Sequence, residues 1–249
     1  MSNYKFILNE EFKNFESFLC NIKQFFKENS NTIHKARNEI KVIEHENQKL
    51  VVKSFKIPHF INKIVYTFFK KSKAQKSYEY ALKIKDFTPK PIGFIEFYKM
   101  GLLNESYFIS EKFEYDFTIR EPLLDINFPN KNEILKAFAR FTHSLHQSCI
   151  YHLDYSPGNI LIKKEKNDFI FKIVDINRMR FLQLNTDLRM KNFSKLWAKD
   201  EDLEIIITEY SKVSNENDRE LILKALNFSK KHKAVKNFKK RLKGIDVVD

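Results

Sequence analysis

Residues 151–162, YHLDYSPGNILI, constrain the chain more than any other stretch. An amphipathic helical pattern, NEILKAFARFTHSLHQSCI (132–150), ends just before them, and a short loop with Pro157 and Gly158 leads into strand-like Ile160, Leu161 and Ile162. Within this segment His152, Asp154 and Asn159 stand at the spacing H-x-D-x-x-x-x-N. Sixteen residues past Asn159, FKIVDINR places Asp175 at the end of an apolar strand. A carboxylate and an amide on strand ends are oxygen ligands that suit Mg²⁺, while a second Asp on the intervening loop is placed to face an attacking hydroxyl. That combination is the chemistry of phosphoryl transfer. His152 is expected to brace the loop by a hydrogen bond and to take no part in proton transfer.

The remainder of the chain reads as α+β. Residues 10–28 carry Phe12, Phe15, Phe18, Leu19, Ile22, Phe25 and Phe26 at helical spacing, which predicts one amphipathic helix with its aromatics in a core. NEIKVIEH (38–45) and LVVKSF (50–55) are β-rich runs around a polar connection, the mark of a hairpin. From Pro58 to about Asp86 the pattern is helical and basic; TPKPIGFIEFY (88–98) and YFISEKFE (107–114) return to strand character, and the part after Pro129 is mostly helical. A hydrophobic content of 43% with 25 Phe excludes a disordered chain. The net charge of +13 predicts attraction to polyanions, but no zinc finger, RNP-type strand or helix-turn-helix signature supports a nucleic-acid role. Cys20 and Cys149 form no CxxC pair, which fits a reducing compartment. Without a signal-type leader or an 18-residue apolar run, the expectation is a cytoplasmic protein, with room for peripheral contact at the inner face of the membrane.

The spacing of His152, Asp154 and Asn159 resembles the protein-kinase catalytic loop, and Asp175-Ile176-Asn177 resembles its metal-binding DFG segment. Two further parts are then expected. Val51-Val52-Lys53 resembles the strand that carries the phosphate-binding lysine, and Glu79, in the helical run KAQKSYEYALKI, is placed to pair with Lys53. Adenine is expected at the backbone near Glu111 to Phe113. The departures are informative. No Gly-rich loop precedes the first hairpin strand, where His34-Lys35-Ala36-Arg37-Asn38 stands instead. Leu153 replaces the arginine of H-R-D, which argues against activation by loop phosphorylation, and no Pro follows Pro157, so an A-P-E element is missing. A peptide acceptor is correspondingly disfavoured.

HLDYSPGNILI, VDINR, VVKSFK and NKIVYTFFKKSKAQKSYEYALKI with TPKPIGFIE resemble the bacterial lipopolysaccharide core kinase family, which phosphorylates Kdo or heptose. The resemblance covers about residues 30 to 200. It implies a two-lobed protein-kinase-like fold: a small N-terminal lobe (1–109) with an antiparallel sheet and helix, and a mostly helical C-terminal lobe (110–249). It implies ATP as donor and a sugar hydroxyl of the lipopolysaccharide inner core, an anionic glycolipid, as acceptor. By the same resemblance Asp154 is the catalytic base, Asn159 and Asp175 hold Mg²⁺, and Lys53 contacts ATP. Lys63, Lys70, Lys71, Lys73 and Lys76, interleaved with Phe60, Ile64, Tyr66, Phe68 and Phe69, have a composition suited to a membrane surface or to a solvated helix face. Two alternatives stay open: a small-molecule phosphotransferase or protein kinase of the same fold, and a catalytically silent kinase-like binding module.

Overall fold

The computed structural model describes residues 3–35, 38–56, 59–166, 168–242 and 244. Ala36 and Arg37, in the segment that stands where a Gly-rich loop was sought, lie outside the described residues. The chain divides into two compact units, one comprising residues 1–113 with 175–177, the other 114–174 with 178–249.

The first unit is built on a six-stranded, wholly antiparallel sheet. Its strands are β1 (Asn3–Leu8), β2 (Thr32–Lys35), β3 (Glu39–His45), β4 (Gln48–Phe55), β5 (Pro91–Lys99) and β6 (Leu102–Glu111), in the order β1-β5-β6-β4-β3-β2. The expected hairpin is β3–β4, with His45 opposite Gln48. Only Glu46 and Asn47 lie between them, both at positive φ (48° and 60°), the two-residue turn whose twist matches paired strands. Met100 and Gly101 turn β5 into β6 in the same way (φ 52° and 75°).

Alternation along β4 gives the sheet two apolar faces. Leu50 and Val52 point into a core shared with Phe12, Phe15, Phe18, Leu19 and Ile22, whereas Phe55 faces Ala74, Tyr78 and Phe94. The aromatics expected to be core are thus core, but not on one helix. Two turns of 3₁₀ helix kinked at Phe12 (Glu10–Phe15) are followed by α1 (Glu16–Cys20) and α2 (Ile22–Glu28), separated at Asn21. Asn21 leaves helical geometry (φ −98°, ψ 13°), and both its amide (3.1 Å) and its side chain (2.9 Å) donate to the Ser17 carbonyl, which closes α1 there. Where α2 ends, buried Lys41 on β3 donates Nζ to the carbonyls of Phe26 (2.7 Å) and Asn29 (2.8 Å), supplying cation and donor to the helix C-terminus.

The basic run after β4 is helical in three pieces. These are α3 (Phe60–Ile64), a π turn (Val65–Phe69), and α4 (Lys73–Ile84), capped by Ser72. Strand β1 runs along β5 with Leu8 opposite Gly93. A Cβ at Gly93 would lie 2.7 Å from the Ile7 carbonyl oxygen, so this position needs glycine for the close approach of two backbones.

The second unit is mostly helical. It contains β7 (Phe117–Thr118), α5 (Arg120–Leu124), α6 (Lys131–Gln147), β8 (Ile150–His152), β9 (Ile160–Glu165), β10 (Asp168–Ile173), β11 (Met179–Phe181), α7 (Thr186–Phe193), α8 (Asp200–Ser214) and α9 (Asp218–Arg241). The strands form two small antiparallel ladders, β10-β9-β7 and β11-β8. On α6 the residues Ile134, Leu135, Phe138, Thr142, Leu145 and His146 share the buried stripe that packs on α8. A nearly enclosed ion pair, Lys131 Nζ to Asp202 Oδ1 at 2.9 Å, ties the start of α6 to α8.

Candidate active site

The loop between β8 and β9 is held at every second or third residue, all within the second unit. His152 is buried; its Nδ1 accepts from the Asp154 amide at 3.0 Å, so Nε2 carries the proton and donates to the Val174 carbonyl, also at 3.0 Å. One ring thereby joins the loop to the end of the following strand segment. Tyr155 is buried against Phe138, its ring 5.8 Å away, and its hydroxyl shares a 2.8 Å hydrogen bond with Thr142. Asn159 donates Nδ2 to the Asp154 carbonyl at 2.9 Å and accepts the Val174 amide on its own carbonyl at 2.9 Å. The Asp154 side chain stays partly exposed on a backbone that its neighbours fix from both sides. Gly158 leaves room for Arg120, whose Nη2 would stand 2.5 Å from a Cβ placed there.

A deeper layer keeps His152 in place. Asn192 on α7 donates Nδ2 to the His152 carbonyl at 3.0 Å; its Oδ1 faces His146 Nε2 at 3.2 Å, and His146 Nδ1 faces the Tyr210 hydroxyl at 3.0 Å. All three side chains are buried. Burial pushes His146 down to about 4, so the imidazole is neutral and relays hydrogen bonds without charge. Burial likewise raises the Tyr155 and Tyr210 hydroxyls, keeping both protonated. Sequence reasoning missed Asn192, and no local signal marks it.

The first unit holds the other candidates. Lys53, buried on β4 opposite Phe108, donates Nζ to Asp175 Oδ1 at 2.6 Å, and Asn177 Nδ2 reaches the same oxygen at 2.7 Å. Asp175 adopts φ 56°, a left-handed backbone that aspartate tolerates better than most residues. Thus two residues 122 positions apart in sequence meet as an ion pair.

Glu79 does not join them. Its carboxylate is taken by Lys71 (2.8 and 2.7 Å) and Gln75 (2.9 Å), and the expected Lys53–Glu79 pair gives way to Lys53–Asp175. The reason is helical phase. Ala74, Ser77, Tyr78, Ala81 and Ile84 turn inward on α4, which leaves position 79 on the flank. Glu111 and Phe113 close the first unit after β6; the Glu111 amide is bonded to the Lys90 carbonyl and the Lys112 amide to that of Lys49, both at 2.9 Å.

The Asp175 carboxylate and the Asn159 side-chain carbonyl each offer a hard oxygen donor of the kind Mg²⁺ takes. Among the described residues no cluster of three or more His, Cys, Asp or Glu side chains offers an all-protein metal cage. The basic stretch 63–76 is partly neutralised, with Lys63 bonded to Asn104 at 2.9 Å and Lys71 to Glu79. Phe60, Ile61, Phe68 and Phe69 are well exposed, and no described helix is long and apolar enough to cross a membrane.

Among solved structures, one titled "WaaP in complex with acyl carrier protein" is similar to this chain at a TM-score of 0.61 and 13% identity, covering 92% of this chain and 97% of that one. At this identity the likeness concerns the fold: an antiparallel sheet followed by a helical part. Residues 80–220 match the family described as "Lipopolysaccharide kinase (Kdo/WaaP) family". The chain belongs to that family and is a phosphotransferase acting on a sugar hydroxyl. A comparison with curated proteins finds no match.

Proposed function

We propose that this kinase transfers the γ-phosphoryl group of ATP, with Mg²⁺, to a hydroxyl of Kdo or heptose in the lipopolysaccharide inner core. The observation that carries the proposal is the rigid presentation of Asp154, whose backbone is bonded on one side by His152 and on the other by Asn159. Phosphoryl transfer asks little covalent chemistry of a protein, so fixed positions and matched charges supply most of the rate.

In this scheme Asp154 orients the acceptor hydroxyl and takes its proton late. Asn159, its amide nitrogen spent on the Asp154 carbonyl, presents Oδ1 as a cation ligand, and Asp175 presents its carboxylate. Mg²⁺ would neutralise charge on the phosphates. Lys53, holding Asp175 here, contacts the α- and β-phosphates when nucleotide is bound. Because the Glu111 and Lys112 amides serve the sheet, adenine is read by the Glu111 carbonyl and the Phe113 amide. Exposed Phe60, Ile61, Phe68 and Phe69 beside Lys70 suit a protein that reaches a glycolipid at the inner membrane surface from the cytoplasm.

Purified protein incubated with ATP, Mg²⁺ and Kdo-lipid A or heptose-containing core should add one phosphate by mass spectrometry. Asp154→Asn should lower kcat by about 10²- to 10⁴-fold while ATP binding persists. Transfer by the variant at the wild-type rate would remove Asp154 from the role given to it.

A further inference from the structure

The second unit carries basic side chains that the roles above leave unused. Lys191 lies on α7, Lys195 in the single turn Ser194–Leu196, Lys236 on α9, and Arg178 just before β11. Lys191, Lys195 and Lys236 come together because α9 packs along α7 and along that turn. The group adjoins the loop of Asp154 on two sides: Asn192, next to Lys191, donates to the His152 carbonyl at 3.0 Å, and the Arg178 carbonyl accepts the Leu153 amide at 3.0 Å. Lys233 Nζ fastens the packing through the Ala198 carbonyl at 2.7 Å, and the rings of Trp197 and His232 lie 6.1 Å apart. Positions 229, 232, 233 and 236 recur at spacings of three and four, on the side of α9 where Ser229 is buried.

The charges in this group do not balance. Lys195 is partly buried, and the charges of Lys236, Lys191 and Arg178 all reach it, with the Asp154 carboxylate acting against them. Burial first, and then Lys236, hold the Lys195 ammonium below its ordinary range. His232 is pushed down to about 4 by burial, Lys195 and Lys236. Neighbouring cations on the same elements are paired: Lys224 with Asp187 (2.7 Å), Arg189 with Glu216 (2.7 Å), Lys233 with Asp200 (3.9 Å). Among the described residues no carboxylate forms an ion pair with Lys191, Lys195, Lys236 or Arg178. Like charges gathered around a partly desolvated ammonium are unfavourable unless an anion sits among them.

We infer that Lys191, Lys195, Lys236 and Arg178 form a subsite for an oxyanion, carboxylate or phosphate, carried by the acceptor sugar whose hydroxyl faces Asp154. The inference rests on the assignment of Asp154 as the base for that hydroxyl, since Asp154 is what locates the cations beside the acceptor. Its effect is on acceptor choice: a neutral sugar leaves the cations uncompensated, whereas an anionic one relieves their repulsion and gains charge-assisted hydrogen bonds.

Trp197 is the chain's single tryptophan and adjoins the group, so its fluorescence reports binding without turnover. Three probes are titrated: free Kdo, which carries a carboxylate, a heptose phosphate, and neutral heptose. At least one anionic sugar should bind about tenfold or more tightly than neutral heptose, and comparison of the two tells which anion the subsite takes. The Lys195→Gln/Lys236→Gln double variant should lose that preference and raise the acceptor KM about tenfold, with the KM for ATP as control. It should also melt higher than wild type without anion, because a repulsion has been removed. By NMR the pKa of His232 should rise on addition of the bound sugar.

Equal binding of all three sugars by the wild type, or an unchanged preference in the double variant, would overturn the subsite. The two ideas fail separately. Anion binding that depends on Lys195 in a protein that phosphorylates no sugar sinks the proposed function and leaves the anion site standing. Transfer to core sugar without any anion preference sinks the subsite and leaves the function.

Discussion

Lowering the pH should loosen this protein through His146. The imidazole is enclosed between Asn192 and Tyr210, and burial holds its pKa near 4, against about 6.5 in an unfolded chain. A histidine with a depressed folded pKa binds its proton more readily when unfolded. Its contribution is therefore present at neutral pH and lost as pH falls from about 6.5 towards 4. Between pH 7.5 and pH 5 the two pKa values correspond to a loss of about 2 kcal/mol, or about 4–8 °C in Tm for a chain of this size. His143 and His232, also depressed by burial, add in the same direction, so the informative quantity is a difference between variants. Wild type and His146→Gln are unfolded in urea at both pH values, and the variant should show a pH dependence smaller by about 2 kcal/mol. An unchanged dependence in His146→Gln would refute the neutral buried relay. If the relay positions the loop as described, Asn192→Leu should also lower kcat, since it releases the His152 carbonyl two residues before Asp154.

Lys53 and Glu79 should behave as independent residues. Glu79→Gln should change stability by less than about 0.5 kcal/mol, since its partner Lys71 is more than half exposed, and should leave the KM for ATP near wild type. Lys53→Met should raise the KM for ATP strongly; a double-mutant cycle in kinetics should give no coupling between the two. At Gly93 the obstacle to a side chain is the Ile7 carbonyl, which is backbone, so Gly93→Ala should cost about 1–3 kcal/mol in urea unfolding and expose β1 to hydrogen exchange. Gly158→Ala meets only the end of the exposed Arg120 side chain, which can swing away, and its cost should be smaller. A reversed order of the two glycine variants would contradict the packing given for β1.

Local pattern was enough for much of this molecule. The polar connection at 46–49 marks a hairpin because only a tight turn can join β3 to β4, and the loop from His152 to Asn159 declares itself through residue types at fixed spacing. The composition of residues 10–28 likewise announces a buried aromatic face. It does not reveal that the helix is interrupted at Asn21, because that outcome depends on the backbone angles of one residue within an otherwise continuous apolar pattern.

What chain order alone determined was the set of chemical groups available: a loop aspartate, an amide, a strand-end aspartate and a strand lysine, all read from short-range regularities. Which of them meet was decided by tertiary packing. Lys53 takes Asp175 and not Glu79 because the inward face of α4 is set by Ala74, Tyr78 and Ala81, a matter of helix rotation that spacing does not encode. Asn192, and the cations around Lys195, acquire meaning only when α7 and α9 pack, since energies of burial and of charge depend on distances between residues far apart along the chain.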